Sequence, residues 1–163
     1  MHLLQVQRLR HTLFRVPEVD EEVRATWRAF LTAHALVTRR ISRDLNEAGL
    51  PDLGWYDLLW ALYSQPGRRL RVKELAREVV LSPTATSRFI DRVEAAGHVR
   101  REPDPADRRA LQIVITDSGV ELLRRMWPIY ARGIENYFAG HLGRSGARLL
   151  AILERMAASA GQE

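Results

Sequence analysis

The stretch that most constrains this chain runs from Leu70 to Thr116, LRVKELAREVVLSPTATSRFIDRVEAAGHVRREPDPADRRALQIVIT. Leu75, Ala76 and Val79 mark the inward face of a short helix over 72–80. Leu81-Ser82-Pro83 then restarts the backbone, with serine as a cap and proline at the first helical position, where a missing N–H costs nothing. The helix that follows, 83–96, places Thr86, Phe89, Ile90, Val93 and Ala96 inward and stops at Gly97. Strands are predicted over 99–102 and 110–116. In the second, Leu111, Ile113 and Ile115 alternate with Gln112, Val114 and Thr116, the pattern of a half-buried antiparallel strand. The loop between them, Pro103 to Arg109, carries two prolines, two aspartates and two arginines. Two helices, a tight turn and a charged hairpin make a helix-turn-helix with a wing, an arrangement suited to reading DNA.

Charge placement agrees. The chain has 163 residues and a net charge of +5, and Lys73 is its only lysine. Residues 68–109 hold eleven Lys/Arg against seven Asp/Glu, so about a quarter of the chain carries a net +4. Such asymmetry is expected of a phosphate-facing surface. The chain has no cysteine, which excludes disulfides, thiol redox sensing and Cys-ligated metal. The five histidines (2, 11, 34, 98 and 141) show no metal-ligand spacing. No apolar run reaches the roughly 20 residues that span a bilayer, and the basic start MHLLQVQRLRHTLFR lacks a signal-peptide core. A cytoplasmic, nucleoid-associated location in a bacterium or archaeon is expected, with no membrane partner. No nucleophile–base pair, glycine-rich phosphate loop or metal set is visible, so an enzyme is not expected and no cofactor is implied.

The flanking segments read as helices. Val23, Trp27, Phe30, Leu31, His34, Leu36 or Val37, Ile41, Leu45 and Ala48 follow three-four spacing from Asp20 to the stop at Gly49. Pro51 and Asp52 open a second helix, ended by Gln65-Pro66-Gly67, and 68–71 suits a short strand. Ser118-Gly-Val-Glu121 reads as a capping box for a helix to about Phe138, kinked by Pro128. A last helix, 145–158, has Leu149, Leu150, Ile152, Leu153 and Met156 on its apolar side. The expected fold is mainly α with a small β-wing, in one domain over 1–163. Its parts are an N-terminal extension (1–19), a helical dimerisation lobe (20–49 and 118–160) and a winged helix-turn-helix lobe (50–117).

On helix 83–96 the outward positions are Pro83, Thr84, Ser87, Arg88, Asp91 and Arg92. A helix fits the major groove, and Arg88 is the candidate for a bidentate contact with guanine, worth about 1–3 kcal/mol of discrimination. Thr84 and Ser87 suit phosphate or a base edge, and Arg92, further along, suits phosphate. In the wing, Arg109 is assigned to the minor groove beside Arg108, with Asp107 orienting it.

With LSPTATSRFIDRVEAAGHVRR, then DPADRRALQIVIT, then DSG, the chain resembles the MarR family of bacterial transcription regulators over about residues 20–160. Asp107-Arg108-Arg109 and Ile115-Thr116 match the family's wing signature with one Leu replaced by Ile. The resemblance implies a homodimer joined by its N- and C-terminal helices, presenting two recognition helices to a pseudo-palindromic double-stranded operator. It places Ser87, Arg88 and Arg92 toward the groove and Arg109 at the wing tip. It also implies a small aromatic or phenolic effector, for which Trp27, Phe30, His34, Trp55, Tyr56 and Trp60 are candidate lining residues. A subgroup that binds urate uses a tryptophan, an aspartate and an arginine. Trp27 and Asp57 stand at plausible places, but the arginine position falls on Phe89, which argues against urate. The expected function is a ligand-released repressor. The alternative is an architectural or protein-interaction module without specific operator binding. Operator, effector and the direction of regulation are not encoded in any motif.

Overall fold

The computed structural model describes residues 19–79, 81–105, 107 and 110–161, with backbone alone at Pro83. The described chain falls into two units, one ending at Leu36 and one running on from Val37. Helix α1 spans Glu21–Glu47. In the first unit the Asp20 carboxylate accepts the Glu22 N–H at 2.8 Å, and Arg24 pairs with Glu21 one turn on. Every described side chain from Val19 to Leu36 is exposed, including Val23, Trp27, Phe30 and Leu31.

In the second unit Ile41 and Leu45 of α1 enter the core, and Gly49, at φ +70°, lets the chain turn back so that the Leu50 N–H reaches the Leu45 carbonyl. Ala48, assigned to the apolar face from spacing, is exposed, because the chain is already leaving the helix there. Helix α2, Leu53–Tyr63, buries Leu53, Tyr56, Leu58, Leu59, Ala61 and Leu62, apolar nearly all round as a core helix should be. A 3-10 turn over Pro66–Arg68 leads into strand β1, Arg69–Arg71. Helices α3 (Val72–Glu78) and α4 (Pro83–Ala95) follow, then β2 (Val99–Pro103) and β3 (Leu111–Ile115).

The three strands form one antiparallel sheet in the order β1-β3-β2. Its central strand departs from simple alternation. Val114 is buried and Leu111 exposed. Val114 lies opposite Arg69 on one side and Arg100 on the other. Both arginines reach Glu102, so their aliphatic stems lie over the face where Val114 sits. Leu111 sits at the wing end, opposite Pro103, beyond the reach of the core.

Helix α5 spans Asp117–Tyr137 with Pro128 inside it. Its cap is Thr116 rather than Ser118: the Thr116 hydroxyl accepts the Gly119 N–H at 3.1 Å and donates to the Gly97 carbonyl. Ser118 is drawn instead to His98 Nδ1, 2.9 Å away. Val120, Leu122, Leu123 and Met126 complete the core, and Gly133 lets α5 lie close to Ile41 of α1. The Tyr137 hydroxyl donates to Asp44 at 2.8 Å and accepts from Arg40 at 3.2 Å, joining the far ends of the same two helices. Helix α6, Gly146–Ala160, has no buried residue. No helix among the described residues is long and apolar enough to cross a membrane.

Candidate nucleic-acid interface

The turn between α3 and α4 is held by local chemistry. The Leu81 N–H closes onto the Ala76 carbonyl, and the Ser82 hydroxyl accepts the Ala85 N–H at 3.2 Å as the N-cap of α4. Thr86 faces fully inward, and its hydroxyl is satisfied by the Ser82 carbonyl at 3.0 Å. Phe89, Ile90 and Val93 are buried beside it, whereas Ala96, assigned inward from the sequence, is exposed because it is already the C-cap. Thr84, Arg88, Asp91 and Arg92 are exposed and Ser87 is half-buried. Of Pro83 only the backbone is described, at the first position of the helix. Trp55 of α2 supports α4 from behind, edge-on to Phe89 and to His98.

The wing is anchored by a residue whose role the sequence did not disclose. Asp104 is buried, and Arg71 of β1 reaches its Oδ2 with both Nε and Nη2 at 2.6 Å. That pairing raises the pKa of the Arg71 guanidinium, chiefly through the hydrogen bond to Asp104. Asp104 and Asp107 also fold the loop back on itself. The Asp104 N–H donates to the Ala110 carbonyl, the Asp107 N–H to the Asp104 carbonyl, and the Ala110 N–H to the Asp107 carbonyl. Arg108 and Arg109 lie outside the described residues, so the orienting role assigned to Asp107 toward Arg109 has no geometry here.

Pairing sorts the basic side chains into two sets. The strand arginines are matched by carboxylates: Arg69 and Arg100 with Glu102, Arg71 with Asp104, and Arg101 with Asp91 and Glu94. Arg88 and Arg92 of α4, and Lys73 and Arg77 of α3, form no ion pair among the described residues. Arg92 lies over the Phe89 ring at 5.0 Å, which orders its stem and leaves its N–H groups available. On α4, where Asp91 and Glu94 are held by Arg101, the cations left without an ion pair among the described residues are therefore Arg88 and Arg92, whereas α3 balances Lys73 and Arg77 with Glu74 and Glu78.

Among the candidates for a ligand crevice, the three in the second unit, Trp55, Tyr56 and Trp60, do not form one group. Trp27 and Phe30 stack at 5.8 Å in the first unit, where His34 is exposed and has a partner of its own. Tyr56 and Trp60 stack at 6.1 Å in the second unit, whereas Trp55 belongs to the α4 contact instead. Sequence reasoning missed the rest of the Tyr56 cluster. Tyr130 stands edge-on to Tyr56 at 4.8 Å, Trp127 stacks on Tyr56, and Tyr63 tilts against Trp60. The i,i+3 spacing of Trp60 with Tyr63, and of Trp127 with Tyr130, was the available signal. Trp60, Tyr63, Val120, Leu123, Arg124 and Trp127 line an open cavity of about 280 Å³. Burial raises the pKa of Tyr56, with smaller contributions from Tyr130 and Asp57, and keeps its hydroxyl neutral. Phe89 is a buried hydrocarbon side chain.

Comparison with known proteins agrees with this geometry. Residues 48–110, which include the helix pair and β2 and end just before β3, match the MarR family. Over 146 residues the chain is 27% identical to YkoM of Bacillus subtilis, an uncharacterised HTH-type transcriptional regulator, covering 88% of this chain and 93% of that protein. The crystal structure of AbsC, a MarR family transcriptional regulator from Streptomyces coelicolor, superposes with a TM-score of 0.81 at 28% identity, covering 91% of this chain and all of that one. Sco3205, a MarR family transcriptional regulator from the same organism, was solved in complex with DNA. It superposes with a TM-score of 0.79 at 31% identity, covering 91% of this chain and 93% of that one. The winged helix-turn-helix, its exposed cations and these likenesses converge: the chain belongs to the MarR family of transcriptional regulators.

Proposed function

We propose that this chain is a sequence-specific DNA-binding repressor acting as a homodimer and released by a small aromatic ligand. The observation that carries the DNA reading is the pair Arg88 and Arg92, exposed and without carboxylate partners among the described residues, on a helix whose start is well capped. In this reading α4 enters the major groove, with Arg88 on a guanine edge, Thr84 and Ser87 on phosphate or base edges, and Arg92 on phosphate. Pro83 shapes the entry, and in the wing Arg109, oriented by Asp107 and next to Arg108 in sequence, is assigned to the adjacent minor groove. Residues 50–117 serve as the DNA lobe, and 20–49 with 118–160 as the dimerisation lobe.

Dimerisation is supported by large apolar side chains that stay exposed in the single chain. These are Val23, Trp27, Phe30, Leu31 and Leu36 on α1, and Leu150 and Met156 on α6. Two recognition helices related by a two-fold axis would read a pseudo-palindromic site. The aromatic cluster around Tyr56 and Trp60 supports a planar ligand, whose binding would favour a dimer with the wrong spacing between recognition helices. The protein works in the cytoplasm, on the nucleoid.

The test is fluorescence anisotropy on the DNA upstream of the chain's own gene, against scrambled DNA of equal length, at two salt concentrations. Specific readout predicts a preference of roughly a thousandfold or more with a steep salt slope. Arg88→Ala should relax that preference by about 1–3 kcal/mol at one base position in each half-site. Equal binding of both fragments, unaltered by Arg88→Ala, would favour an architectural or protein-interaction module instead.

A further inference from the structure

We propose that Arg101 is a positioning residue for DNA binding. From β2 it holds Asp91 and Glu94 of α4, which ties the recognition helix to the wing and keeps two carboxylates away from the groove-facing cations. The role rests on the reading of α4 as the helix that enters DNA.

The geometry is a fork across two elements. Arg101 Nη2 donates to Asp91 Oδ1 at 2.6 Å, and Nη1 donates to Glu94 Oε2. The Arg101 backbone N–H donates to the other Glu94 oxygen at 2.9 Å, so Glu94 is gripped by side chain and main chain together. Asp91 and Glu94 are three residues apart and therefore share one face of the helix. A planar guanidinium can reach both at once, whereas an ammonium presents a single point of charge.

What Asp91 does not do is as informative. It stands three residues after Arg88, the spacing at which helical side chains pair, and it is itself exposed. An Arg88–Asp91 pair would neutralise the side chain best placed to read a base. Arg101 takes the carboxylate instead, and Arg88 remains without an ion-pair partner among the described residues. With a side chain only 27% exposed, Arg101 is set back against the hairpin rather than projecting toward a ligand.

The experiment starts from a duplex selected out of a random pool by the wild-type protein. Affinity for that duplex is then measured for wild type, R101Q and D91N/R101Q at low and high salt, alongside thermal melts. Unmasking two carboxylates beside phosphates should weaken R101Q roughly fivefold at low salt, with the loss shrinking as salt screens it. Removing the Asp91 charge as well should bring D91N/R101Q back to within about twofold of wild type, because the repulsion is what was lost to. Wild-type affinity in R101Q would overturn the proposal. So would a double variant as weak as R101Q, which would mean that Arg101 meets phosphate itself. A loss in R101Q matched by its unfolded fraction at the assay temperature would reduce the residue to a structural one and overturn it too. A pool that wild type cannot enrich would sink the DNA reading itself, and this role with it.

Discussion

Gly119 sits where the recognition module joins α5, and replacing it with alanine should unseat that joint. A Cβ built there lies 2.2 Å from the His98 carbonyl oxygen and 2.7 Å from Ile115 Cγ1. Carbon and carbonyl oxygen come no closer than about 3.3 Å without strain, so His98 or the first turn of α5 must yield by about 1 Å. The His98 carbonyl is not free to move, since it accepts the Thr116 N–H at 3.1 Å. Overpacking of this kind costs about 1–3 kcal/mol, and a compromised buried hydrogen bond adds about 1–3 kcal/mol. Alanine's better helix propensity returns about 0.5–1 kcal/mol. The balance is a loss of about 1–5 kcal/mol, or a fall in melting temperature of about 2–20 °C for a chain of this size. Gly133→Ala is the internal comparison. Its Cβ would lie 2.6 Å from Cγ1 of the buried Ile41, a clash with one side chain and no backbone atom, so the cost should be smaller, about 1–2 kcal/mol. Urea and thermal unfolding followed by circular dichroism read both variants. A Gly119→Ala protein as stable as wild type, or one more stable than Gly133→Ala, would refute the steric argument.

Two further outcomes are expected. Asp104→Ala should cost about 2–4 kcal/mol, because it removes a buried carboxylate that holds the Arg71 guanidinium and ties β1 to the wing. It should also raise proteolytic cleavage within 103–110, and a wing as resistant as wild type would count against the anchor. Asp57 has its pKa raised by desolvation although its side chain retains surface, so at neutral pH its charge opposes folding. The folded chain therefore takes up that proton before the unfolded chain does, and this contribution makes stability fall as pH rises from the ordinary carboxylate value through the raised one. Asp57→Asn should be more stable than wild type at pH 7 and lose the advantage in acid; equal midpoints in urea at pH 7 would contradict this.

Features set by neighbours along the chain were legible in the sequence. Ser82-Pro83 announced the start of α4, Gly49 the end of α1, and the order of helices and strands followed. Features set by distant neighbours were not. The Ser118 box lost to Thr116 because the end of β3 and the Gly97 carbonyl fix the threonine first, and His98 captures the serine. Val114 read as a solvent-facing position because alternation takes no account of arginine stems arriving from both adjacent strands. Asp104 looked like one more loop charge, since its partner Arg71 lies 33 residues away. The candidate site divided likewise. Periodicity alone identified the outward face of α4, whereas the pairing that leaves Arg88 and Arg92 uncompensated depends on which carboxylates the wing presents. The ligand candidates were chosen by residue type, and packing sent Trp55 to support α4 while drawing Tyr63, Trp127 and Tyr130 into the cluster of Tyr56 and Trp60.

Helix α6 fully buries none of its side chains, leaving Leu149, Ile152 and Leu153 half-covered and Leu150 and Met156 exposed, and fifteen residues are marginal as an isolated helix in water. If its cover is a second copy, as the proposed homodimer requires, folding and pairing become one equilibrium and the midpoint of unfolding climbs with protein concentration. Inside a cell at low expression, the amount of assembled regulator would then follow the square of the amount of chain. A gene under its control would respond to modest changes in supply more steeply than a one-chain repressor allows, before any small molecule is involved.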